Sequence, residues 1–399
     1  MKKNVFSKKE LMFICTLGFA LGMRQMAMTM VVPFISVYSK TLTYSTPVLA
    51  GIALGVFGLM QAFFQIPFGV LSDKFGNKKV ILIGLMQVII GLLLAYFAKN
   101  IYLLIIARAL QGSGAIIAVG YSWISSNVYY DRRTRAISIV GIILGFAATA
   151  SFALGPIIHK YVSVNNMFLY CALLILLSWI IILVFLKEKE SYKEKFYDEK
   201  ESNYKRECFE NNIDTKEVFH ILLRNNVFVK LNIAGFFNNF IMAAIFFAIP
   251  QYLENITGID GMWKIFMPSV LIAIAFMAWS VRFSEKGYGI KLIIISFAIT
   301  ALGMIFYFNK SSFTFILVGT ILFMTGYICI CTLVPSLANE IAEESYRGTA
   351  NGIVNSFQYI GSFVGSIIMA ALWVNYEKIA FILLIIVCIL GIIMLKCCN

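Results

Sequence analysis

The sequence predicts an all-α integral membrane protein of twelve transmembrane helices in two six-helix, pseudo-symmetric halves. Composition, the spacing of apolar runs and an internal repeat carry that expectation. Of 399 residues, 60% are apolar and 13% charged, and mean hydropathy is +0.85. A soluble domain runs nearer about 45–50% apolar and about 25% charged. So few charges cannot cover a water-soluble globule of this size. A soluble enzyme, a nucleic-acid-binding domain and a disordered chain are all excluded on that ground.

A hydrocarbon core of about 30 Å asks for about 20 apolar residues per helix. Twelve runs meet that length: 11–37, 48–71, 79–98, 101–126, 136–160, 166–186, 228–252, 262–283, 288–308, 312–338, 346–374 and 378–396. They are too long for barrel strands. The first run follows Lys2, Lys3, Lys8 and Lys9 and contains Arg24. A signal peptide would have a shorter apolar core and a small-residue cleavage site, so this run is read as a retained helix. The polar stretch 187–226 holds nine bases and ten acids and reads as a solvated linker with scope for partial helix. It divides the chain into a first half, 1–186, and a second, 227–399.

Lysine and arginine set the orientation. Of the 33, 25 fall in one set of loops and tails, 6 in the opposite set, and Arg24 and Arg108 lie inside spans. Both termini are therefore expected in the cytoplasm, with the protein in the inner or plasma membrane. The net charge of +13 is absorbed by topology and calls for no nucleic acid. The eight cysteines form no CxxC pair and read as free thiols, mostly buried. His159 and His220 have no Cys or His partner at ligand spacing, so no metal site is expected. No cofactor motif, P-loop, HExxH or GxSxG is present, which argues against an enzyme and against ATP drive.

The repeat has an offset of 212 residues: Asp73 with Glu285 in the matching tripeptides SDK and SEK, Arg135 with Arg347, and Gly114 with Gly326. Parallel six-span repeats are a plan of secondary transporters, with the binding site midway between the halves.

Residues 69–79, GVLSDKFGNKK, resemble the GxLxDxxGxKx signature of the major facilitator superfamily. RALQGSGA at 108–115 is similar to its RxxxGxG motif of span 4, and SFALGPIIHK at 151–160 to the Gly-Pro motif of span 5. With MRQMAMTMVVPF and LVPSLANEIAEESYRGTANGI, the resemblance extends over about 10–395 to the YajR-type branch of bacterial drug/proton antiporters, without that branch's C-terminal soluble domain. It implies a monomeric transporter that exchanges a small molecule for protons across the bilayer.

The residues themselves suggest roles. In the loop 2–3 latch, Gly69 allows close helix approach and Gly76 makes the turn. Asp73 faces a helix N-terminus or pairs with Arg135, and Lys78 and Lys79 hold the loop inside. Gly141, Gly145 and Gly155 thin span 5, and Pro156 removes a backbone donor. Arg24 is too costly to leave in lipid and faces water or a partner, in substrate or coupling duty or as a hydrogen-bond hub. Arg108, with Gln111, Gly112 and Gly114 beside it, serves proton coupling by resemblance, or else pins backbone carbonyls. His159 carries a proton or simply ends a helix.

None of the 20 acids lies at mid-span, so proton antiport rests on the resemblance. Cavity candidates are Gln25, Met28, Gln61, Gln65, Tyr121, Trp123, Asn232, Asn238, Asn239, Tyr327, Asn355 and Gln358. With few embedded charges, a lipophilic or weakly cationic substrate, drug-like or a small metabolite, fits better than a polyanion. The alternatives are an uptake symporter or facilitator of the same fold and, more remotely, a membrane sensor or enzyme.

Overall fold

The computed structural model describes residues 6–187, 215–309, 312–343 and 347–396, excepting a few side chains within them, Asp73's included. Most of the charged linker thus lies outside the described residues. Its last part, Thr215–Arg224, is an amphipathic helix.

Polar caps at the ends of apolar runs fix where the spans begin. Span 1, Lys8–Met30, starts on a capping box in which the Ser7 hydroxyl accepts from Glu10 N and the Glu10 carboxylate accepts from Ser7 N. It ends through a 3-10 turn at Val32–Phe34 and a short helix Ile35–Lys40. Span 2, Pro47–Phe75, has a Thr46 cap and proline in its first turn. Span 3 is Asn77–Tyr96, and span 4 comes in two pieces, Ile101–Ser113 and Ile117–Asn127. Spans 5 and 6 are Tyr130–His159 and Val164–Phe185. Spans 7 to 12 are Asn226–Ile256, Trp263–Phe283, Gly289–Phe306, Phe313–Ile341, Arg347–Trp373 and Glu377–Lys396.

Spans 2 and 3 turn on Gly76, at φ 92°, and spans 8 and 9 on Gly287, at φ 89°. Both are backbone positions that favour glycine. The expected turn at Gly76 is therefore present, and its counterpart recurs in the second half.

The 212-residue repeat is written into the packing. A Cβ on Gly114 would come 2.6 Å from the Gly84 carbonyl oxygen, and one on Gly326 would come 2.5 Å from that of Ser296. A Cβ on Gly91 would meet the Ala107 carbonyl at 2.9 Å, and one on Gly303 that of Gly319 at 2.9 Å. All four pairs are related by the same offset. Span 3 therefore crosses span 4 as span 9 crosses span 10, at distances only glycine permits. The repeat fails at one point: span 10 is continuous where span 4 is broken.

The first six spans meet the last six mainly at one end. Spans 2 and 11 pack there through Gly51 and Gly55 against Phe363, Ser366 and Ala370. Lys40 Nζ reaches Glu254 Oε2 at 2.8 Å. Gly69 and Gly348, toward the loop 2–3 end, and Gly145, at the middle of span 5, have no described neighbour within 4 Å of a built Cβ. This corrects two expectations. Gly69 and Gly145 make no close helix approach to any described residue, and Gly145 lies on an exposed face of span 5. Gly141 meets only the Tyr121 hydroxyl at 3.8 Å. Gly155 does thin span 5, since its Cβ would lie 2.6 Å from the Met30 carbonyl.

Candidate binding and coupling site

Spans 1, 2, 4 and 11 converge on Arg24, which is 1% exposed. Its Nη2 donates to Gln61 Oε1 and to the Gly114 carbonyl, each at 3.2 Å. The Gly114 carbonyl is available because span 4 breaks there. Gly114 sits at φ −74°, ψ 62°, the centre of an inverse γ-turn closed by the Ala115 amide donating to the Ser113 carbonyl at 2.9 Å; the Gly114 carbonyl itself also accepts from the Ile116 amide at 3.0 Å. Irregular backbone at membrane depth survives only where protein satisfies it, and the guanidinium does so here. Tyr359 of span 11 hydrogen-bonds Gln61 within the field of Arg24.

Arg108 is also 1% exposed and is held differently. Nε donates to the Ala53 carbonyl at 3.3 Å and Nη1 to Gln111 Oε1 at 2.8 Å. Gln111 Nε2 in turn donates to the Gly91 carbonyl at 3.0 Å. Gly112 lies directly on the Phe57 carbonyl. The RxxxGxG motif therefore clamps span 4 to spans 2 and 3, which is the structural pin expected as one alternative.

The Phe57 ring sits between both cations, 5.9 Å from Arg24 Cζ and 4.8 Å from Arg108 Cζ. Such contacts are worth about 2 kcal/mol when desolvated. No carboxylate among the described residues pairs with either guanidinium; the ion pairs present are Lys40–Glu254 and Arg132–Glu10.

Toward the Lys40 end an aromatic stack closes the path. Phe152 of span 5 stacks on Phe246 of span 7 at 4.7 Å and meets Tyr327 of span 10 edge-on at 6.2 Å. Phe266 and Phe323 extend it from spans 8 and 10. Beyond the stack lies a cavity of about 240 Å³ lined by Phe34, Tyr38, His159 and Glu254, among others. There His159 rests on the Phe34 ring at 4.6 Å, with Nδ1 3.0 Å from the Val162 carbonyl. Lys160 lies over the Trp263 ring at 5.9 Å.

The other sequence candidates divide. Gln61, Gln65, Tyr121, Tyr327 and Gln358 lie on surfaces around this core. Gln65 Nε2 is 4.0 Å from a Cβ built on Gly352, and Gln358 Cγ is 3.2 Å from one built on Gly235. Asn238 donates to the Tyr327 carbonyl at 3.2 Å and ties span 7 to span 10. Asn232 and Asn239 donate to carbonyls of their own helix, and Gln25 donates to the Thr29 hydroxyl one turn on. Met28 is buried, and Trp123 is buried against Phe13 at 5.3 Å; both pack the first six spans. Asn355 is half-buried on span 11.

In the latch, Lys78 donates to the Leu183 carbonyl at 2.9 Å, Arg135 lies over the Phe6 ring at 5.6 Å, and Lys79 is exposed. The Asp73 side chain lies outside the described residues. Pro156 falls in the last turns of span 5, inside the helix.

Sequence reasoning missed Phe57, Tyr359 and Glu10. Phe57 lies four residues before Gln61, on one helix face. Glu10, 6% exposed, pairs with Arg132 at 3.0 Å and accepts from the Tyr129 amide at 3.2 Å. Its signal was the Ser7-to-Glu10 spacing of a capping box.

A helical chain with this repeat and a buried polar centre between its halves is a membrane transport protein. The chain belongs to the Major Facilitator Superfamily, whose model matches residues 17–366. It is a multi-pass transporter and not an enzyme. The inner membrane transport protein YajR of Escherichia coli (strain K12) is 28% identical over 363 residues, covering 90% of this chain and 76% of that protein. A class B tetracycline resistance protein of Escherichia coli is 28% identical over 148 residues, 36% of each chain. In fold, a partially occluded inward-open structure of the xylose transporter XylE from E. coli matches with a TM-score of 0.74 at 12% identity, covering 98% of each chain.

Proposed function

We propose that this chain exports a lipophilic small molecule in exchange for protons, by rocking residues 1–186 against 227–399 about the Arg24 centre. The observation that carries the reading is the placement of that centre: a buried, polar, uncompensated site below an aromatic closure. The excess of Lys and Arg puts the loop 2–3 end in the cytoplasm. Lys40–Glu254 and the aromatic stack close the Lys40 end, which supports a state reached from the cytoplasmic side, as an exporter awaiting its load would be. The shared third of the chain with a tetracycline resistance protein supports efflux over uptake. One chain is the transport unit. Protons pass by way of His159 at the outer cavity and Glu10 at the inner end, the titratable groups flanking the centre.

Purified protein in liposomes with an internal pH-sensitive dye tests this against imposed gradients of lipophilic compounds. Proton movement opposite to substrate supports the reading. Movement in the same direction makes the protein a symporter, and substrate flux without protons makes it a facilitator.

A further inference from the structure

The transport reading above leaves the substrate's charge open, and the Arg24 centre closes it. We infer that the substrate is a monoanion, a single carboxylate on an apolar or aromatic body, and that the Arg24 guanidinium receives the carboxylate. This deepens the proposed function and rests on it.

Arg24 and Arg108 are equally buried, yet they are employed differently. Arg108 commits Nε and Nη1 to fixed acceptors, as a structural pin should. Arg24 commits only Nη2, and its buried Nε has no acceptor at all. A charged donor left unsatisfied at membrane depth is costly and marks a functional position. Pinning the Gly114 carbonyl would not require it. On span 11, beside Tyr359, Gln358 Nε2 is a second buried donor without an acceptor. Arg24 Nε is a donor, so the partner it lacks is an acceptor; Gln358 itself packs on Gly235 of span 7. A cationic ligand would instead add charge next to two guanidiniums that no described carboxylate balances.

The same inventory limits the ligand to one charge. Arg108 is already occupied, so a second carboxylate would find no free cation in this core. The surroundings are apolar: Phe57 lies against the Arg24 guanidinium, and Phe152, Phe246 and Tyr327 form the aromatic closure above, which suits an apolar body. Arg24 has no twin, since the residue 212 positions later is Phe236. The centre is thus asymmetric in charge although the helices repeat, which orients a molecule with one anionic and one apolar end.

The test is equilibrium binding to the full-length chain in lipid nanodiscs, using three isosteric probes: 1-naphthoate, 1-naphthamide and 1-naphthylmethylammonium. Naphthoate is expected to bind at least about tenfold more tightly than the amide, and the ammonium no better than the amide. Arg24→Gln keeps a donor for the Gly114 carbonyl and should bring naphthoate within about twofold of the amide. Should that variant fail to fold, the three-probe comparison on the natural protein decides alone. No binding of naphthoate, equal binding of the amide, or tighter binding of the ammonium overturns the inference. So does a carboxylate preference that survives Arg24→Gln in a folded variant. Naphthoate binding without proton counterflow would remove antiport and leave this inference standing. Proton-driven flux of the ammonium would do the reverse.

Discussion

Arg24 on span 1 donates to the Gly114 carbonyl, 3.2 Å away, where span 4 stops being a helix. One relationship explains both anomalies. The glycine is required because span 3 crosses too closely for a Cβ, and span 4 breaks at that glycine. The break frees a carbonyl, and the carbonyl anchors a cation that the bilayer would otherwise reject. At Gly326 the same close crossing leaves span 10 intact, and no arginine is needed.

Gly114→Ala tests the crossing. The new Cβ would press on the Gly84 carbonyl and on Val88 Cγ2, each at 2.6 Å. Overpacking of this kind costs about 1–3 kcal/mol. The apparent melting temperature in detergent should fall by several degrees, whereas Gly145→Ala, with open space around it, should leave it unchanged.

Phe152→Ala tests the aromatic closure. Losing the stack on Phe246 removes about 0.5–1.5 kcal/mol of pair energy beyond the area lost. A cysteine placed at Gln61, in a chain cleared of accessible thiols, should then react faster with a membrane-impermeant reagent supplied at the Lys40 end. Phe152→Tyr should keep the slow rate.

The Lys40–Glu254 pair should matter less. Its side chains are 46% and 35% exposed, so its coupling is about 0.2–1 kcal/mol. Lys40→Glu should raise accessibility of the outer cavity by less than about fivefold, and the double exchange Lys40→Glu with Glu254→Lys should restore it. Salt at about 1 M should abolish the difference between single and double variants.

Asp73→Asn should slow transport while leaving insertion and yield intact, because a latch between spans 2 and 3 acts on the conformational step and not on folding. Turnover at the natural rate in proteoliposomes would remove Asp73 from the mechanism.

The spans were legible because a run of about 20 apolar residues is a one-dimensional signal. Arg24 and Arg108 were legible for a related reason: a charge inside such a run stands out. Their partners were not. Gln61, Phe57 and Tyr359 meet Arg24 only after three helices converge, and no local pattern encodes that. The break in span 4 was not legible from its glycine, because Gly326 at the matching position sits inside an unbroken helix. Gly69 and Gly145 were read as contact residues, yet no described residue lies within 4 Å of a Cβ at either, because a glycine in the sequence does not say which way its helix face turns. Glu10 was within reach of a capping-box reading, but a search for carboxylates at mid-span passed it by.

The most direct test of rocking is a pair of distance measurements between spin labels. One pair, Val48 with Val374, brackets the Lys40 end of spans 2 and 11; the other, Lys74 with Gly348, brackets the loop 2–3 end. Across pH, and with the compound the flux assay identifies, the two separations should change in opposite directions, one lengthening as the other shortens. Distances that stay fixed, or that lengthen together, would contradict alternating access about the Arg24 centre.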